Sequence, residues 1–437
     1  MAESQPTDEV LLQEARAGIE RHRKSDVTVR VTGPDGRPAP GARIALRMKR
    51  HRFLFGCALF EALADQDDGR RAGRIPAETL QHWDDLRRRA LELFNVATLP
   101  VYWGHYEPEQ GRTRAEEVKR LHAWCTQHGL RTKGHPVVWC QAVPDWLPAD
   151  RDALQRLMQK RLAELVEAFG PQSDHPLDFV DFLNEPTVQP QNFDNPLALW
   201  MRDLGPAGTV DMAYDLCCAF DLPARGILNH FMRDDEFLQA ARTSTGGGRT
   251  IRAIGLQSHQ HSGTRPLWMF QEETDRFAAG LGVPVHWTEN SVLSGESRHI
   301  KFVQGKADVP PWPSTPQAEE RQARALADQY TLLFGHPAVE ALTQWNFTDA
   351  CSWLGAPSGL LDKDLRPKPA YHAVHQLIRD QWWTDADLVA DADGRATARV
   401  FRGDYDLCAA DRAGRVERRL SATVDGPQTS LAVSLAP

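Results

Sequence analysis

Eight short apolar runs recur at fairly regular intervals between residues 53 and 345, with helical patterns between them. The runs are Phe53-Leu-Phe-Gly-Cys-Ala-Leu, Asn95-Val-Ala-Thr-Leu, Thr132-Lys-Gly-His-Pro-Val-Val-Trp, Asp178 to Asn184, Gly226-Ile-Leu-Asn-His-Phe, Ala253-Ile-Gly-Leu-Gln-Ser-His, Val283 to Thr288, and Val339-Glu-Ala-Leu-Thr-Gln-Trp. Continuous apolar runs of this length suit strands buried on both faces. The intervening segments 115–128, 151–169 and 317–334 place apolar residues on one helical face, with Val118, Leu121, Trp124 and Cys125 as an example. Strand alternating with helix eight times predicts an α/β chain closed as a (β/α)8 TIM barrel.

The termini have a different texture. Residues 9–24 predict an amphipathic helix, and Val27 to Thr32, the turn Pro34-Asp35-Gly36 and Ala42 to Met48 predict a β-hairpin. After Ile378, alternating runs at Ala396, Tyr405, Arg419 and Leu431 are separated by Gly- and Asp-containing turns. We expect both termini to join in one small antiparallel β-sandwich, because isolated hairpins are marginal. The expected domains are residues 1–50, the helix and hairpin; 51–380, the barrel; and 381–437, the remaining strands.

Two barrel strands end on a carboxyl. The strand at 178–184 stops at Asn184-Glu185-Pro186, since proline lacks an N–H and biases its neighbour to extended geometry. The strand at 283–288 ends on Glu289. All C-terminal strand ends of such a barrel share one face, where catalytic groups gather. A carboxyl there is costly to bury unless it has a partner or a task, and two fit the pair that glycoside hydrolysis needs.

Composition excludes several alternatives. The net charge of −8 disfavours a nucleic-acid or anionic-membrane surface. No apolar run is as long as a membrane span. The first eight residues lack a signal-peptide core, so a cytoplasmic location is expected. Seven scattered cysteines do not form a disulfide framework, and no Cys/His cluster has metal-ligand spacing, so neither a metal nor a cofactor is expected. The expected partner is an oligosaccharide or glycoside, and the sequence leaves the oligomeric state open.

Six motifs, in order, carry a family resemblance. Phe182-Leu-Asn-Glu-Pro resembles the acid/base motif of glycoside hydrolase family 10, the endo-β-1,4-xylanases, and Trp287-Thr-Glu-Asn resembles its nucleophile strand. Lys133-Gly-His-Pro-Val-Val-Trp with Val143-Pro-Asp-Trp, Gly255-Leu-Gln-Ser-His, Gln344-Trp-Asn-Phe-Thr-Asp with Ser352-Trp353, and Gly359-Leu-Leu-Asp with Pro367-Lys-Pro-Ala-Tyr are similar to its third, sixth, eighth and closing segments. The resemblance implies Glu185 as general acid/base and Glu289 as nucleophile, with carboxyls about 5–5.5 Å apart for a retaining mechanism. It implies that Asn184 holds the sugar 2-OH, His259 orients Glu289, Gln257 touches the acid/base region, and His135 contacts the sugar. Trp139, Trp345 and Trp353 would offer rings for apolar sugar faces. The duller alternatives stay open: His135 and His259 as core histidines, the tryptophans as packing, and Asp349 as a helix cap.

The second strand departs from the family pattern. Where the family carries Glu, Asn and Lys, this chain has Thr98, Leu99 and Tyr102, beside Trp103 and Tyr106. The family's Asp two residues after the nucleophile is Ser291 here, and its Asn-Asp on strand five is Asn229-His230. A retaining glycosidase for short xylo- or gluco-oligosaccharides, or for an apolar glycoconjugate, is therefore expected. Tyr102 and Trp103 would be substrate contacts. The rival readings are an ordinary endo-xylanase, a carbohydrate-binding protein without turnover, and a metal-dependent barrel hydrolase, for which clustered ligands are missing.

Overall fold

The computed structural model describes residues 5–60, 83–301, 309–415 and 417–435. Two units partition the chain: one of residues 55–327 and 338–373, and one of residues 1–54, 328–337 and 374–437.

In the first of these units, eight parallel strands close a barrel in chain order. They are numbered after two N-terminal strands of the second unit, β1 (Lys24–Thr32) and β2 (Arg43–His51). The barrel strands are β3 (Leu54–Ala58), β4 (Val96–Pro100), β5 (Arg131–His135), β6 (Phe179–Asn184), β7 (Gly226–His230), β8 (Ala253–His259), β9 (Val285–Ser291) and β10 (Val339–Gln344). Helices Trp83–Leu93, Ala115–Gln127, Arg151–Phe169, Pro196–Cys217, Asp235–Gly246, Leu267–Leu281 and Pro316–Gly335 fill the successive intervals. Side-chain caps set several of their starts. The Asp150, Asn195 and Asp234 carboxyl or amide oxygens accept from the backbone N–H three residues on, which satisfies orphan donors of the first turn. Strands β3, β4, β6, β7 and β9 are buried throughout, and β5, β8 and β10 at all but one residue each, as parallel strands covered on both faces must be.

The second unit contains two sheets. One has the order β12 (Arg395–Phe401), β1, β15 (Gln428–Ser434); the other has the order β11 (Asp385–Val389), β2, β13 (Gly403–Ala410), β14 (Glu417–Val424). The sequence-predicted hairpin is a correction: β1 and β2 lie in different sheets. Both edges of β1 are taken, by β12 antiparallel and by β15 parallel, while β11 and β13 flank β2. Val27, Val29 and Val31 of β1 and Ile44, Leu46 and Met48 of β2 are buried, so alternation identified the inward faces but not the strand partners. Residues 328–335 of helix Pro316–Gly335 belong to this second unit, and helix Asp8–His22 meets them at glycine. A Cβ on Gly18 would stand 2.4 Å from the Gly335 carbonyl oxygen.

Among the described residues no helix is long and apolar enough to cross a membrane.

Candidate active site

Glu185 follows β6 directly, and Glu289 lies on β9 near its C-terminal end. Asn184 is in register with Asn229 of β7, and Gln257 of β8 is in register with Glu289. The β6–β7 and β8–β9 ladders each shift register beside these residues. Such bulges re-aim side chains. Glu185 takes a φ of 56°, a left-handed conformation that costs a non-glycine residue about 1–3 kcal/mol. Its N–H is held by the Asn229 carbonyl at 2.9 Å, and the N–H of Asn184 donates to the Val138 carbonyl at 3.0 Å.

A chain of amides links the two acids. The Gln257 amide donates to Glu185 Oε1 at 3.0 Å and to Asn184 Oδ1 at 3.1 Å. The Asn229 amide donates to Asn184 Oδ1 at 2.9 Å and to Glu289 Oε1 at 2.8 Å. Asn229 Oδ1 accepts from the Thr288 hydroxyl at 2.6 Å. This fixes the amide orientation, since a carboxylate only accepts. Room for Asn229 comes from Gly255, where a Cβ would approach Asn229 Oδ1 to 2.6 Å.

The remaining contacts differ between the acids. Glu185 Oε2 accepts from the Trp139 indole N–H at 2.9 Å. Glu289 Oε2 lies 3.0 Å from His259 Nε2, whose Nδ1 is 3.0 Å from the Ser291 hydroxyl. His135 Nε2 approaches Glu289 Oε1 to 3.8 Å. Beneath it, buried Asp181 takes His135 Nδ1 at 2.6 Å and Lys133 Nζ at 2.8 Å.

Burial and the neighbouring Glu289 carboxylate raise the pKa of Glu185 to about 7. Burial alone would raise that of Glu289 too. The imidazoles of His135 and His259 and the Lys133 ammonium outweigh it and hold Glu289 below the usual carboxylate range. Opposed shifts in a carboxyl pair separate a protonated from an ionised partner at one pH.

Rings border the pair. Tyr102 sits 5.3 Å from His135 and 5.7 Å from Trp139 between ring centroids. Trp345 lies 5.2 Å from His135 and 5.8 Å from His259. Trp353, 38% exposed, lies 4.8 Å from His259.

Trp103 packs away from the rings around His135. The short helix Trp103–Tyr106 turns Trp103 and Tyr106 onto the buried Arg161 guanidinium, 5.4 and 5.3 Å from their ring centroids. The Trp103 N–H donates to Glu107. Trp103, Tyr106 and Leu99 are all buried. Asp349 is buried too, bound by Lys368 Nζ at 3.0 Å and the Gly359 N–H at 2.8 Å. His230, in the place of the family's acid, is buried, with Nε2 2.6 Å from the Thr187 hydroxyl. Desolvation lowers its pKa to about 3.

Sequence reasoning named neither Asp181 nor Phe60 and gave Asn229 no role. For Asp181 and Asn229 the available signal was a polar residue inside an otherwise apolar barrel strand, which burial makes costly without a partner. Among the described residues no cluster of three His, Cys, Asp or Glu side chains could hold a metal ion.

A closed parallel barrel with two buried carboxyls joined across its strand ends defines a class, the (β/α)8 barrels of the glycosidase type. The sequence model of glycosyl hydrolase family 10 matches residues 90–377, well over half of the chain, and the chain belongs to that family. It is 22% identical over 305 residues to endo-1,4-beta-xylanase B of Thermotoga neapolitana, covering 66% of this chain and 82% of that protein. It is 21% identical over 409 residues to the anti-sigma-I factor RsgI6 of Acetivibrio thermocellus, covering 91% of this chain. The chain spans 46% of that relative's length. In structure it is similar to xylanase 10B of Thermotoga petrophila, solved in complex with xylobiose. The TM-score is 0.58 at 19% identity, over 76% of this chain and 95% of the other.

Proposed function

We propose that this protein is a retaining glycoside hydrolase that cleaves a β-linked xylo- or gluco-type oligosaccharide or glycoconjugate. The observation that carries the reading is the carboxyl pair joined through the amides of Gln257, Asn184 and Asn229, with pKa values pushed apart, Glu185 upward and Glu289 downward. In the first step the ionised Glu289 attacks the anomeric carbon while Glu185 gives its proton to the departing oxygen. A glycosyl ester on Glu289 and a free alcohol result. In the second step Glu185, now a carboxylate, takes a proton from water, whose oxygen displaces Glu289.

Asn229 and His259 direct N–H groups at the two Glu289 oxygens and so fix the attacking lone pair. Gln257 and Trp139 aim Glu185. Asn184 stands between the acids, where the sugar 2-OH would lie. Tyr102, His135, Trp345 and Trp353 supply the surrounding rings.

The test is a panel of 2-fluoro β-glycosides with activated leaving groups, followed by peptide mass spectrometry. We expect a stable glycosyl label on Glu289, and the sugar that labels names the substrate class. A label on another residue overturns the assignment. Sugar binding with neither label nor turnover favours the non-catalytic reading. The second reading, an ordinary endo-1,4-β-xylanase, draws support from the xylanase relatives. It predicts that polymeric xylan is hydrolysed as well as a short aryl β-xyloside.

A further inference from the structure

The wall of the site that reaches Glu289 through His135 is a closed cycle of four rings. Phe60 touches Tyr102 at 6.1 Å between centroids and Tyr102 touches His135 at 5.3 Å. His135 touches Trp345 at 5.2 Å, and Trp345 returns to Phe60 at 5.6 Å. The interplanar angles are 83°, 80°, 77° and 86°, so all four contacts are edge to face. Rings at these separations are in contact, and the edge-to-face arrangement is a favoured one. The cycle therefore leaves no slot for a sugar between its members. On β4, Thr98 and Leu99 are 1% and 0% exposed and offer no carboxylate or amide to a second sugar.

His135 is the member that approaches Glu289. The sugar attacked by Glu289 must lie against that carboxylate, so the wall borders the glycone side. A second sugar linked on that side would meet a wall already closed by ring-on-ring contact and could enter only by separating those rings and losing their packing. We propose that the quartet of Phe60, Tyr102, His135 and Trp345 caps the glycone side after one sugar. The enzyme then removes single sugars from a chain end or an aglycone, with Tyr102 as the specificity-determining residue. Tyr102 is the member that also touches Trp139, the donor to Glu185. This inference rests on the glycosidase reading above.

The test compares kcat/KM for nitrophenyl β-xyloside with β-xylobioside, and for β-glucoside with β-cellobioside, in the wild type, Tyr102→Ala and Phe60→Ala. We expect the wild type to use the one-sugar glycone at least as well as the two-sugar glycone. Tyr102→Ala should raise the two-to-one ratio on the order of tenfold or more, because remote binding energy then becomes available. A wild-type preference for the two-sugar glycone in either series overturns the cap while leaving the glycosidase reading intact. Hydrolysis of no member of the panel overturns the glycosidase reading, and the cap with it. If Tyr102→Ala fails to fold, the wild-type ratio and Phe60→Ala decide. A folded Tyr102→Ala with an unmoved ratio overturns the role of Tyr102.

Discussion

The ends of β6 and β9 carry the same side chain at similar depth, 7% exposed for Glu185 and 4% for Glu289, yet their acidities move in opposite directions. Burial pushes both pKa values up. Neighbours decide the rest. Glu185 has neutral donors, Gln257 and Trp139, and faces a like charge. Glu289 has two imidazoles and, further off, the Lys133 ammonium. An acid and a nucleophile can thus be made from one residue type by distributing charge around it. Depth alone separates nothing here.

The largest break in this comparison is removal of the β9 member. Glu289→Ala should lower kcat on an aryl glycoside by on the order of 10⁴–10⁶-fold and abolish labelling by 2-fluoro glycosides. Glu185→Gln comes next, with a loss of about 10²–10⁴-fold on substrates with poor leaving groups. Dinitrophenyl glycosides, whose leaving group needs no proton, should lose far less, and steady-state rates on the two leaving groups measure the difference. The same variant tests the sign of the pKa shift. In the wild type, Glu185 must be protonated, so kcat/KM should fall as pH rises through about 7. It should fall again at low pH, as Glu289 becomes protonated below the usual carboxylate range. In Glu185→Gln the basic limb should vanish.

Asn229→Ala removes the amide that bridges the two ends, and we expect about a 10²-fold loss of kcat, by analogy with losing one preorganised donor. The smallest and most selective effect belongs to Trp139→Phe. It keeps a ring but deletes the N–H that stabilises ionised Glu185. The basic limb should move up by about 0.5–1 pH unit, with the acidic limb unmoved.

The barrel was legible because parallel strands covered on both faces appear as unbroken apolar runs. Asn184-Glu185-Pro186 announced the end of one of them. Partnership in the second unit was not legible. Period-two alternation reports which face of β1 and β2 is buried, while hydrogen-bond partners depend on segments nearly a chain length away. In the site, Tyr102 and Trp103 look alike in sequence. Only the turn of helix at Trp103–Tyr106 separates them, leaving Tyr102 against His135 and sending Trp103 onto Arg161. Phe60 follows β3 without any motif, and its place among Tyr102 and Trp345 depends on closure of the barrel. Asp181 was hidden for another reason: its partners Lys133 and His135 come from the adjacent strand.

The pairing of β1 with β12 and β15 sets a timetable for biosynthesis. The Ser25 and Thr429 hydroxyls lie 3.2 Å apart although 404 residues separate them in the chain. At a ribosomal pace of about 5–20 residues per second, that interval lasts roughly 20–80 s. Until β12 emerges, about 370 residues after β1, the three valines of β1 have no strand partner, while the barrel strands emerge and can close among themselves. Of the described strands, β15 is the last in chain order, and it completes the sheet that β1 began.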